Sequence, residues 1–72
     1  MEVKIGVQHA TRELTLEIDD AADAVEKSVT DAVSAGTVLV LTDNKGRRTV
    51  IPGEKIAYVE IGGGVSGQVG FR

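Results

Sequence analysis

Residues 2–18 read EVKIGVQHATRELTLEI, and the spacing of their apolar positions decides the fold. Val3, Ile5 and Val7 alternate with Glu2, Lys4 and Gly6; Leu14, Leu16 and Ile18 alternate with Glu13, Thr15 and Glu17. A period of two sends one set of side chains to a buried face and the other to water, the pattern of a half-buried strand. The short polar link His9-Ala10-Thr11-Arg12 between the two runs predicts a hairpin. A lone hairpin is marginal in water, so its oily face needs a cover.

The following residues predict that cover. Asp19 or Asp20 is positioned to cap a helix start with its carboxylate, and Asp23 adds negative charge near the positive end of the helix dipole. From Ala21 to Ala35 the positions Ala22, Val25, Val29, Ala32 and Val33 recur at three-to-four spacing, one face of a helix. Lys27 and Asp31 stand one turn apart, a pairing that contributes about 0.2–0.5 kcal/mol. Gly36 falls where a left-handed residue ends a helix.

Beyond it, Val38-Leu39-Val40-Leu41 is a continuous apolar run that predicts a strand covered on both faces. Asp43-Asn44-Lys45-Gly46 is a turn signal, Arg47 to Ile51 a further strand, and Pro52-Gly53 a break. Lys55 to Ile61 reads as the last strand, with Ile56 and Tyr58 on one face and Ala57, Val59 and Ile61 on the other. The expected architecture is α+β, ββαβββ, one helix packed on a mixed five-stranded sheet. Residues 1–62 form the single domain, and residues 63–72 a Gly-rich segment expected to be mobile. The alternative is an antiparallel sheet whose last three strands make a meander.

This order, together with MEVKIGV (1–7), ELTLEI (13–18) and IDDAADAV (18–25), resembles the ubiquitin-like β-grasp fold. The resemblance implies that the first and last strands lie side by side and parallel at the sheet centre. The strings MEVKIGVQHATREL (1–14), GRRTVIPGEKIAYVEIG (46–62) and VGF (69–71) resemble a small uncharacterised actinobacterial family, a domain of unknown function. That family brings no established activity to carry over. Some of its members carry an ATP-binding label, for which these residues show no basis.

Composition narrows the function classes. The 72 residues include no Cys and one His, which removes disulfides and Cys-based zinc sites. The net charge is −3 with both signs interspersed, so no basic block marks nucleic acid or an anionic membrane. No apolar stretch approaches the roughly 18 residues of a membrane span. A cytoplasmic protein without a cofactor, and with nucleic acid an unfavoured partner, is the expectation.

Individual motifs are weak. Gly62 to Gly67 matches G-x-G-x-x-G, but too little chain follows for the helix that such a phosphate loop feeds. Gly63-Gly64 suggests a ubiquitin-like modifier only if the residues after it are removed. His9 has no acidic neighbour and reads as an exposed turn residue. Glu13 and Glu17 lie on a wet strand face, and Asp19, Asp20 and Asp23 lack the ligand spacing of a calcium loop.

Two candidate surfaces remain. One is basic: Lys45, Arg47 and Arg48 at the hairpin, for phosphates or nucleotides. The other is apolar: a sheet face including Tyr58 with Leu39 and Leu41, or with Val38 and Val40 in their place, for an unidentified protein partner or self-association. Val69 and Phe71 add a docking peptide, or fold back on their own sheet. The functional expectation is a small interaction or regulatory module without enzymatic activity.

Overall fold

The computed structural model describes residues 1–62. It is α+β, with five strands and one α-helix: β1 (Glu2–Val7), β2 (Leu14–Glu17), α1 (Ala22–Ala35), β3 (Val38–Thr42), β4 (Arg48–Pro52) and β5 (Ile56–Ile61), with a single 3₁₀ turn at Gly53–Lys55 joining β4 to β5. The order ββαβββ follows the sequence expectation, but the strands form two antiparallel ladders rather than one mixed sheet. One has the order β2-β1-β5, the other is the two-stranded ribbon β3-β4.

The first and last strands are neighbours, as the β-grasp pattern implied, yet they run antiparallel, with Val3 opposite Ile61 and Ile5 opposite Val59. The meander is also absent among the described residues, because β5 pairs with β1 and not with β4. The register slips between Gly6 and Val7: Gly6 faces Tyr58, but Val7 faces Ile56. Ala57 is therefore the extra residue of a bulge. This slip moves Ile56 off the face of Tyr58 and packs it against the core with Val59 and Ile61.

The core is built from both ladders and the helix. Val3, Ile5, Leu16, Ile18, Val25, Ala32, Leu39, Leu41 and Ile51 are buried in one cluster, and no polar or charged residue is buried with them among the described residues. The helix packs against β3, β5 and the 3₁₀ turn. Gly53 makes the last of these approaches possible, because a Cβ there would lie 2.7 Å from the Thr37 carbonyl oxygen and equally crowd that of Ala32.

Two details of α1 depart from expectation. Its cap residue is Ala21, in extended conformation and without a side-chain cap bond, so neither Asp19 nor Asp20 serves as the cap. On its apolar face Val25 and Ala32 are buried, but Val33 is half exposed and Ala22 exposed. Gly36 does close the helix in the left-handed region, φ 69° and ψ 28°, and Lys27 Nζ lies 2.9 Å from Asp31 Oδ2.

Candidate functional site

The ribbon β3-β4 carries the most informative surface. Its cross-strand pairs are Val38–Pro52, Leu39–Ile51, Val40–Val50, Leu41–Thr49 and Thr42–Arg48. Successive pairs point to opposite faces. Leu39, Leu41 and Ile51 turn inward and are at most 5 % exposed, whereas Val38, Val40 and Val50 are 53 %, 50 % and 62 % exposed. The expectation that both faces of the 38–41 run are covered is corrected here. Leu39 and Leu41 are core residues, with almost no surface on the outer face of the ribbon. At half exposure or more, the three valines face water.

That outer face continues into the basic hairpin. After the Val40–Val50 pair comes Thr42–Arg48, and then the tip that carries Lys45 and Arg47. The tip is ordered by Asp43, whose Oδ1 accepts from the backbone N–H groups of Lys45 at 2.9 Å and Arg47 at 2.8 Å. These bonds, that of Arg47 first, hold the Asp43 carboxyl below its ordinary pKa against an opposing effect of burial. The same bonds bear on phosphate capture. The loop amides that would cradle an anion already serve an internal carboxylate, and Arg47 Nε lies 3.8 Å from Asp43 Oδ2. Arg48 takes part in no ion pair among the described residues.

Beside the other edge of the ribbon, a groove of about 260 Å³ runs between α1 and β3. Helix residues Ser28, Asp31 and Ala32 and the stretch from Thr37 to Val40 line it, and its one ionisable side chain, Asp31, is the partner of Lys27.

Tyr58 is elsewhere. It lies on the outer face of the three-stranded ladder, opposite Gly6, and its hydroxyl donates to Glu13 Oε2. That bond, then burial, raises the Tyr58 pKa. The rest of this face carries Glu2, Lys4, Thr15, Glu17 and Glu60. Tyr58 and the ribbon therefore do not form one site, and the three-stranded face is acidic rather than apolar. His9 is exposed at the β1–β2 turn with φ 65°. Val69 and Phe71 lie outside the described residues, as do Gly63-Gly64 and all but the first glycine of the G-x-G-x-x-G string.

In the sequence alone the valines stand only as the alternative to Leu39 and Leu41. The signal that separates them from the leucines is the phase of β4: Ile51 is its one large buried residue, and Ile51 pairs with Leu39. Among the described residues no group of three or more His, Cys, Asp or Glu is arranged to hold a metal, and no helix is long and apolar enough to cross a membrane.

The site thus resolves into an outward valine face joined to a basic tip, a geometry that names no reaction. No curated protein matches this chain. The family resemblance carried by the strings in 1–14, 46–62 and 69–71 holds over the whole length: the model described as "Protein of unknown function (DUF3107)" matches residues 1–72, and the chain belongs to that family.

Proposed function

We propose that the protein is a small docking module with no chemistry of its own, and that it takes a protein partner on the outer face of the β3-β4 ribbon. The observation that carries this reading is the row Val38, Val40 and Val50, three β-branched side chains at least half exposed on one face of a ribbon with no second strand on either side. Contiguous apolar surface on a small protein marks a contact site more often than chance exposure does. Salt sensitivity separates the readings: apolar docking tolerates salt, whereas phosphate capture by Lys45, Arg47 and Arg48 weakens steeply with it.

A photo-crosslinking residue placed at position 40 or 50 in the cells that make the protein tests the proposal. Discrete crosslinked proteins are expected from both positions and not from position 33, where Val33 is equally exposed but lies on the helix. No crosslink at 40 and 50, with amide shifts at the hairpin on titration with ATP or RNA, would overturn it in favour of phosphate binding.

A further inference from the structure

We infer that the free edge of β4 accepts an extended segment of the partner, one that carries a carboxylate two residues from a β-branched apolar side chain. This deepens the docking function proposed above and rests on it.

The backbone supplies the first reason. Gly53 N–H donates to the Thr37 carbonyl at 2.8 Å, and Asp43 N–H to that of Arg47 at 2.8 Å. Bonded and non-bonded pairs alternate along an antiparallel ladder. Leu39–Ile51 and Leu41–Thr49 are then the bonded pairs between these two ends. Val38, Val40 and Thr42 turn their N–H and C=O groups to one edge of the ribbon, and Arg48, Val50 and Pro52 turn theirs to the other. Neither edge has a strand partner. On the β4 edge the donors are Arg48 and Val50, since Pro52 has no N–H. An added strand of about five residues fits that register.

Area gives the second reason. The three valines together expose less than the surface of two whole valine residues, well short of the roughly 800 Å² per partner of a stable protein–protein interface. A second folded copy would have to bury several times that area, most of it polar and charged surface around the valines. An extended segment adds main-chain hydrogen bonds to the side-chain contacts, so it needs less apolar area.

Charge selects the edge and the segment. Lys45, Arg47 and Arg48 place three of the chain's eight cations within four residues at one end of β4. Arg48 and Val50 are two apart, so their side chains share one face, and a strand beside them presents its own residues at the same spacing. An apolar residue beside Val50 and a carboxylate beside Arg48 satisfy both. The β3 edge borders the groove that holds the Asp31 carboxylate, which disfavours an acidic segment there.

A random twelve-residue peptide library displayed on phage and selected against the immobilised full chain is the test. Enriched peptides are expected to carry Asp or Glu two positions from Val, Ile or Thr, and to slow hydrogen exchange at the Arg48 and Val50 amides. Val50→Pro removes a donor that has no partner in the free protein, a change an edge strand tolerates. It is expected to weaken a selected peptide at least about tenfold, while Val50→Ile keeps the donor, the apolar contact and the binding. Should Val50→Pro fail to fold, Arg48→Glu decides, with loss of acidic peptides expected. Peptides without the acidic spacing that still need Val40 and Val50 would sink this inference and leave the docking function standing. Peptides indifferent to Val40→Lys and Val50→Lys, self-association through this face, or binding only of phosphatidylserine vesicles would sink both.

Discussion

The Tyr58 ring lies across the backbone of Gly6, its cross-strand partner, and reaches over β1 to bond Glu13, the residue just before β2. A Cβ on Gly6 would collide with the edge of that ring. Aromatic cover over a strand glycine restores side-chain contact where glycine supplies none. Gly6→Ala must push the ring aside, and a side chain can move; a loss of about 1 kcal/mol is expected. Gly53→Ala meets the carbonyl groups of Ala32 and Thr37, which are backbone and cannot yield without shifting the end of α1. Its cost is expected at or above about 3 kcal/mol. Urea midpoints of the two variants check the order, and a Gly53→Ala variant as stable as Gly6→Ala would contradict it.

The same tyrosine sets an alkaline limit. Its pKa is raised by the bond to Glu13 and by burial. A raised folded-state pKa means that the contribution is complete below the unfolded value, near 10, and is lost as pH rises through the folded value. Wild type is expected to exceed Tyr58→Phe in urea midpoint at pH 8, and the two to converge above pH 11. Convergence already at pH 8 would show that the bond contributes nothing.

Asp43 works at the opposite end of the pH scale. The Arg47 and then the Lys45 amide bonds depress its pKa, so its contribution is present above the unfolded value, near 4, and fades as pH falls through the lower folded value. Asp43→Ala is expected to be less stable than wild type at pH 6, with the gap closing below pH 3. Melting temperatures across that range measure it, and a gap independent of pH would remove the carboxylate from the explanation.

The local elements were legible because local chemistry makes them: alternation at 2–7 and 14–18, helical spacing to Ala35, Gly36 as a left-handed stop and the turn at 43–46. What was not legible depends on distant chain. The direction of β5 against β1 follows from how the Gly53–Lys55 turn re-aims the chain, which no pattern inside β5 encodes. The bulge at Ala57 breaks the period that had put Ile56 beside Tyr58. Glu13 and Tyr58 meet across 45 positions.

The helix start offers a stabilising change. Ala21 holds the cap position with extended backbone, φ −67° and ψ 149°, but brings no acceptor for the first-turn amides. Ala21→Ser or Ala21→Asp supplies one and is expected to add about 0.5–2 kcal/mol. Asp19→Ala and Asp20→Ala, which remove no cap, are expected to stay within about 0.5 kcal/mol of wild type. Chemical denaturation ranks all four, and a large loss at Asp19 or Asp20 would return the capping role to them.

The ribbon faces themselves make the sharpest contrast, because adjacent residues of similar hydrophobicity have opposite duties. Leu39 and Leu41 fill the common core, so truncation to alanine leaves cavities costing about 2–5 kcal/mol each. Val40→Thr and Val50→Thr keep β-branching and remove only exposed methyl groups, so stability is expected to change by no more than about 0.5 kcal/mol. Partner binding is expected to follow the reverse order: lost with the threonine variants, and retained by any leucine variant that remains folded at the assay temperature. Denaturation and binding measured on the same four proteins separate the two effects. A leucine substitution that abolished binding in a fully folded protein would move the docking surface to the inner face and overturn the assignment of the valines.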